Sequence, residues 1–328
     1  MKTKAYYIIA IQSIVIVALL VASAALYAKK NSKADYSGLL SPRVYAGILE
    51  PKSFLIVNYA PLRIDFESYI RKNNLNVSIY IENLRNGAFI GVNERERYSP
   101  ASLNKVITAI LIMKKVEDKK LSLDREIEIE DKFKSNAFGD LYKAKEKKLP
   151  LKILLEKMMK ESDDTAFKIL NSMVNVDDRN LVLSYLDYYG DNNFTKSEEN
   201  VKGLVTPKAM YNVFSSLYLS TLLEPKDSEY ILSLLTDTVF DIKKIADLPD
   251  NVTVAQKFAS KYIGNEKYLH SCGIIYIGAT RVFYCIMTKD LAMKNATDLI
   301  GAMVHNVYSY TVDTKGKLDY YRDLYDFE

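Results

Sequence analysis

Ser102 and Lys105 stand three residues apart in the segment Ser99-Pro100-Ala101-Ser102-Leu103-Asn104-Lys105. On a helix this spacing puts both side chains on one face, a turn apart. A desolvated lysine amine is pushed toward neutrality. It can then take the hydroxyl proton as the serine oxygen attacks a carbonyl, with no histidine needed. Taken alone, the pair also reads as an N-cap serine followed by a surface lysine. Two other segments carry groups that could join this chemistry. Lys160-Glu161-Ser162-Asp163-Asp164-Thr165-Ala166 reads by itself as a helix cap. Val254-Ala255-Gln256-Lys257-Phe258-Ala259 reads as a strand ending in an exposed edge lysine.

Other chemistries have little to work with. The 2 histidines, His270 and His305, cannot build a conventional zinc site and read as structural or merely exposed. Their scarcity also argues against Ser-His-Asp and Cys-His nucleophiles. Cys272 and Cys285 have no metal-ligand spacing and are too few for a disulfide scaffold. No metal and no cofactor are expected. With Lys+Arg 45 against Asp+Glu 41, the formal net charge is only +4, so no nucleic-acid partner is expected either.

The elements that must position these residues follow from pattern. Pro61 to Asn74 has helical spacing of apolar positions behind a proline suited to a helix start. Val77 to Ile81 and Ala88 to Val92, joined through Asn86-Gly87, form a hairpin signal. The middle, about Ser102 to Ile245, is helical: a strongly apolar helix to Val116, then Leu149 to Met159, Asp164 to Met173, Pro207 to Leu219 and Pro225 to Thr236. Strands return at Val252 to Ala255, Cys272 to Ile277 and Val282 to Thr288, and a helix from Ala292 to Tyr308 precedes a polar tail. The order implies an α+β fold: one five-stranded antiparallel sheet from both ends of the chain, flanked by helices, with an inserted all-helical subdomain. If Gly278 lies in the last turn, Cys272 and Cys285 are opposite or diagonal. They are then a disulfide or two buried thiols, and the demanding cross-strand geometry favours thiols.

Ala5 to Ala28 is apolar but for Gln12, Ser13 and Ser23, long enough to span a bilayer. It is read as an uncleaved N-terminal transmembrane anchor, although Ala22-Ser23-Ala24 also fits a signal cleavage site. Lys2 and Lys4 before it and Lys29, Lys30 and Lys33 after it leave orientation undecided by charge. The expected organisation is an anchor over 1–30, a stalk over 31–60, one domain over 61–312 and a polar tail over 313–328.

Together the three polar segments resemble the Ser-x-x-Lys, Ser-Asp-Asn and Lys-Thr-Gly motifs of the penicillin-recognising serine hydrolases, that is, class A β-lactamases and related D,D-peptidases. Tyr98 to Ser102 resembles the lead into the family nucleophile. Val205-Thr206-Pro207-Lys208-Ala209-Met210 resembles the helix start after the family's Ω loop, and Leu269 to Tyr276 the strand after Lys-Thr-Gly. The similarity covers about 65 to 310. It implies Ser102 as nucleophile, Lys105 as its base or proton relay, and Ser162 as the proton shuttle to the leaving nitrogen. Lys257 would supply positive potential for a substrate carboxylate and for Ser162. The backbone N–H of Ser102 and one from the strand after Lys257 would form the oxyanion hole. Asp164, Phe258 and Ala259 would contact substrate.

Four positions depart from the family. Asp164 replaces an asparagine, Phe258 and Ala259 replace threonine and glycine, and Ser271 stands where aspartate is common. Between Tyr185 and Thr206 there is also no Glu-x-x-Leu-Asn to position a deacylating water; Asp191, Glu198 and Glu199 lie there without the local pattern. The resemblance therefore implies an extracytoplasmic, membrane-anchored serine hydrolase. It would form an acyl-enzyme with a cell-wall peptide or β-lactam-like amide and deacylate β-lactams weakly. A catalytically impaired binding or scaffolding module of the cell envelope is the alternative, and an efficient β-lactamase comes third.

Overall fold

The computed structural model describes residues 16–19, 23, 58–188, 203–263, 266–278 and 280–324, with side chains to residue 313 in the last helix. The chain divides into Met1–Leu55 (with Glu328) and Ile56–Phe327; the fold below belongs to the second unit. The apolar run Ala5 to Ala28 and the expected stalk lie almost wholly outside the described residues. Residues 16–19 are helical, and no helix among the described residues is long and apolar enough to cross a membrane.

Helix α1 (Ala60–Lys72) opens the domain with Pro61 in its first turn, where its missing N–H costs nothing. The hairpin β1 (Asn76–Asn83) and β2 (Phe89–Val92) follows, turning through Gly87 at φ +74°. The helical block contains α2 (Asn104–Glu117), a small ladder of β3 (Glu126–Glu128) with β4 (Lys148–Pro150), α3 (Leu151–Lys160), α4 (Asp164–Ser172), α5 (Val176–Tyr185), α6 (Pro207–Tyr218), α7 (Pro225–Leu234) and the one-turn α8 (Ile242–Ile245). Strands β5 (Thr253–Ile263), β6 (Glu266–Ile277) and β7 (Thr280–Lys289) and helix α9 (Met293–Leu324) complete it.

The sheet has five antiparallel strands in the order β2-β1-β7-β6-β5, as expected, with β1 paired to β7 across most of the domain's length. Period-two alternation sends the two faces into different cores. Val77, Ile79, Ile81, Tyr284 and Ile286 pack under α1 and α9, while Tyr80, Phe283, Cys285 and Met287 face the helical block.

Three expectations are corrected. The strand at Val252 to Ala255 does not end at Lys257. It runs on to Ile263, because β6 supplies a partner for every residue from Thr253 onward, and Lys257 is therefore a mid-strand residue. The last helix does not stop at Tyr308, since α9 continues to Leu324 through a stretch with no proline to stop it. Cys272 and Cys285 are not thiols: Gly278 forms the turn, the register sets them directly opposite with Cα atoms 3.9 Å apart, and they are disulfide-bonded.

Candidate active site

Ser102 lies in a 3-10 turn, Ala101–Leu103, that runs directly into α2. Ala101 holds φ +45°, a left-handed conformation that costs a residue with a Cβ about 1–2 kcal/mol. Surrounding contacts fix the turn. The Leu103 N–H donates to Pro100 O at 2.9 Å, and a two-way backbone bridge joins Tyr98 to Val205. The third contact comes from the sheet. The Thr288 N–H donates to His270 Nδ1 (3.3 Å), so Nε2 carries the ring proton and donates to Ser99 O at 3.0 Å. His270 is fully buried between Tyr98 and Tyr268, and burial pulls its imidazole down to about 4. It is structural, as its sequence context suggests. His305 likewise bonds a backbone oxygen, Ala246 O, at 2.8 Å.

Lys105 projects from the first turn of α2 and is 1% exposed. Its ammonium donates to Asp164 Oδ1 at 2.7 Å, Ser162 Oγ at 3.1 Å and Ser162 O at 2.5 Å. Burial lowers its proton affinity, and the Asp164 carboxylate opposes that effect. The Ser102 hydroxyl is half-buried and has no hydrogen bond among the described residues. The lysine thus turns to the α3–α4 junction rather than to its own helix neighbour.

That junction is built on Asp163. Fully buried, it accepts from Ala166 N (2.8 Å) as the α4 N-cap and from Leu141 N (2.9 Å) in the preceding loop. The cap reading of this segment and its site reading both hold, on adjacent residues. Ser162, at φ +58°, points its hydroxyl inward, and Asp164 occupies the first helical position with its side chain 26% exposed. The loop is pinned again where Asp164 N donates to Phe138 O and Ser135 N to Thr165 Oγ1. Phe138 then packs edge-on against Phe258, which stacks on Phe240.

A cleft of about 1000 Å³ opens between these elements, walled by Ser102, Lys105, Ser162, Asp164 and Phe258 together with Ser260, Lys261 and Tyr262 from the far half of β5. Five of the seven residues singled out from sequence thus meet in one cavity. Lys257 and Ala259 do not line it; both are fully buried. Lys257 shares a strand face with Ala259, toward the helical block, and its Nζ, 4.6 Å from the centre of the Phe258 ring, has no hydrogen-bond partner among the described residues. Burial first, and then the nearby Lys105 charge, push its amine well below the ordinary lysine range. Ser271 turns away from the cleft to Tyr284 OH, at 2.9 Å.

Sequence reasoning missed Ser260, Lys261 and Tyr262 because the strand was read as ending before them. The available signal was period two. Gln256 N–H donates outward to Leu235 O, so the N–H groups of Phe258 and Ser260 also point away from β6, and that of Ser260 does so at the cleft wall. Asp191, Glu198 and Glu199 fall in 189–202, outside the described residues.

A mixed sheet-and-helix fold with a serine opening the first buried helix, a lysine one turn on and a second serine on a facing loop defines the β-lactamase-like serine hydrolases. The chain belongs to the Beta-lactamase enzyme family, whose profile matches residues 61–311. Among solved structures it is similar to the TLA-1 extended-spectrum β-lactamase (TM-score 0.68, 18% identity, 77% of this chain and 98% of that one). It is similar also to PBP-A (0.64, 18%, 76% and 96%) and to a β-lactamase from Chitinophaga pinensis (0.65, 17%, 75% and 99%). No curated protein matches it in sequence.

Proposed function

We propose that this chain is an extracytoplasmic serine hydrolase of the β-lactamase/penicillin-binding type that forms an acyl-enzyme on Ser102 and deacylates β-lactams weakly. The observation that carries this reading is the buried Lys105 amine beside Ser162 in the same cleft as Ser102. In the step proposed, the Ser102 oxygen attacks an amide or lactam carbonyl while the Lys105 amine accepts its proton. The N–H groups of Ser102 and Ser260 receive the developing oxyanion. The C–N bond then breaks, with Ser162 relaying a proton to the leaving nitrogen, and water later hydrolyses the ester. The absence of a Glu-x-x-Leu-Asn element between Tyr185 and Thr206 supports slow hydrolysis. A point mutant of PBP-A, one of the structural neighbours, has been seen as an acyl-enzyme with penicillin G. The apolar run at Ala5 to Ala28 supports membrane anchoring, and a disulfide suits an oxidising compartment.

A fluorescent penicillin added to the detergent-solubilised full chain should give one long-lived adduct by intact mass, absent from Ser102→Ala. Rapid, saturable nitrocefin hydrolysis that disappears in Ser102→Ala would refute weak deacylation. The engagement of Lys105 by Asp164 favours a second reading, a binding module without turnover; no adduct on folded protein would select it.

A further inference from the structure

Lys105 and Asp164 present themselves unequally to a ligand. The Lys105 side chain is 1% exposed, and its ammonium directs its three N–H groups to Asp164 Oδ1, Ser162 Oγ and Ser162 O. No donor is left over. Asp164 is the exposed member of the pair, at 26%, and it lines the cleft. An ionised carboxylate has about four acceptor sites and no donor. Lys105 takes one on Oδ1, while Oδ2 has no hydrogen bond among the described residues. Asparagine at this position could donate as well as accept; aspartate only accepts. A carbonyl on the ligand therefore finds no donor in this pair, whereas an ammonium finds a charged acceptor.

The groups packed around Asp164 leave room for a second cation. Buried Asp163, next in the chain, adds negative potential that is felt at Lys105. Lys257, from β5, lies against the cleft-lining Phe258 ring and interacts with both Lys105 and Asp164. Burial and the Lys105 charge push its amine well below the ordinary lysine range, which weakens its opposition to a ligand cation. Lys261, on the far half of β5, is exposed and screened by solvent. Phe167, three residues after Asp164 and so on the same face of α4, also lines the cleft, and ring faces attract cations. Lys105 Nζ already stands 5.6 Å from the centre of that ring.

We propose that Asp164 is a specificity-determining residue of this cleft, its Oδ2 accepting a hydrogen bond from a primary ammonium on the acyl part of the substrate while Oδ1 keeps Lys105. Lys105 bonds Ser162 Oγ and Asp164 Oδ1 through different N–H groups, so the two acceptors diverge from it. With Ser162 serving the leaving nitrogen, Asp164 falls to the acyl part. The substrates selected are amides with a cationic amine on the acyl side of the scissile bond. The assignment rests on the acyl-enzyme reading for its reaction, but its charge preference can be measured without acylation.

The test compares ampicillin, whose acyl side chain carries an amine, with benzylpenicillin, which lacks it, on the full chain at about pH 6.5, below the ordinary α-amino range. The ampicillin-to-benzylpenicillin acylation ratio should fall about tenfold in Asp164→Asn, the worth of one charge-assisted hydrogen bond. Any change in the reactivity of Ser102 moves both probes together and cancels, so an unchanged ratio overturns the proposal. Should Asp164→Asn not fold, the wild type decides: its ratio should fall from about pH 6.5 to about pH 9 as the ampicillin amine loses its proton, and a constant ratio overturns the proposal. In parallel, Ser102→Ala and Ser102→Ala/Asp164→Asn are titrated with each probe by ligand-observed NMR. Preferential binding of ampicillin, lost with Asp164, supports the proposal even if wild type forms no adduct, in which case only the acyl-enzyme reading fails. Equal binding of both probes in Ser102→Ala overturns the proposal even if adducts form.

Discussion

Replacing Asp164 with asparagine should make Ser102 react faster. The Asp164 carboxylate sits 2.7 Å from a lysine nitrogen that is almost wholly buried, and its own side chain is 26% exposed. An opposite charge this close favours the protonated amine by about 1.4 kcal/mol at the low end of the usual range, the end suited to a partly solvated carboxylate. Asparagine keeps an acceptor oxygen for the Lys105 ammonium and removes the charge, leaving burial to dominate. The free-amine fraction at neutral pH should therefore rise about tenfold. If Lys105 is the base, the second-order rate of Ser102 acylation should rise with it, and the acid limb of the pH–rate profile should move to lower pH. The assay is time-resolved labelling by a fluorescent penicillin from pH 5 to 10, with Ser102→Ala as blank. An Asp164→Asn protein that is folded yet labels no faster, with its acid limb unmoved, would refute Lys105 as the base.

Three stability predictions follow from groups near the site. His270 binds its proton less tightly in the fold, at about 4, than the ordinary 6.5, so the unfolded chain takes up the extra proton between those values. Stability is then fully present above pH 6.5 and falls by about 3 kcal/mol as pH drops toward 4; urea unfolding against pH should show this slope, and His270→Gln should lose it. Asp163→Ala strands two N–H donors, those of Ala166 and Leu141, and should cost about 2–4 kcal/mol in urea melts. Gly139→Ala should also be strongly destabilising in the same melts, because Gly139 holds φ +84° and a Cβ there would lie 2.1 Å from Asp163 Oδ2.

Much of this arrangement is legible in the sequence, for reasons that can be named. The hairpin and the strands around Cys272 to Thr288 are rich in β-branched and aromatic residues on both faces, and both faces are buried. Ser102 and Lys105 are three apart on a helix whose apolar run announces burial. Helix α5 is not legible: Val176, Leu181 and Tyr185 are exposed, so its apolar residues mark no single face. The far half of β5 fails for a related reason. Ser260, Lys261 and Tyr262 look like loop, yet they are extended because β6 pairs with them, a long-range cause that no local pattern carries. That one missed extension hid the burial of Lys257, the outward N–H of Ser260 and the cation at the cleft mouth. The Lys105–Asp164 contact joins residues 59 apart and could be found only by folding the chain.

The pairing of β1 with β7 has a consequence for synthesis. Val77 lies opposite Thr288, more than 200 residues later, so β1 must wait for β7 before that ladder can close. A chain built around such distant contacts folds slowly and exposes sticky strand edges meanwhile. Ser102, Lys105, Ser162 and Asp164 all leave the ribosome well before β5, so on the proposed function the nucleophile is made long before the strand proposed to supply its oxyanion donor. A nascent chain truncated before Thr253 would hold Ser102, Lys105, Ser162 and Asp164 and lack the β5 wall of the cleft. On the proposed function, the serine is thus armed only once β5 has joined the sheet.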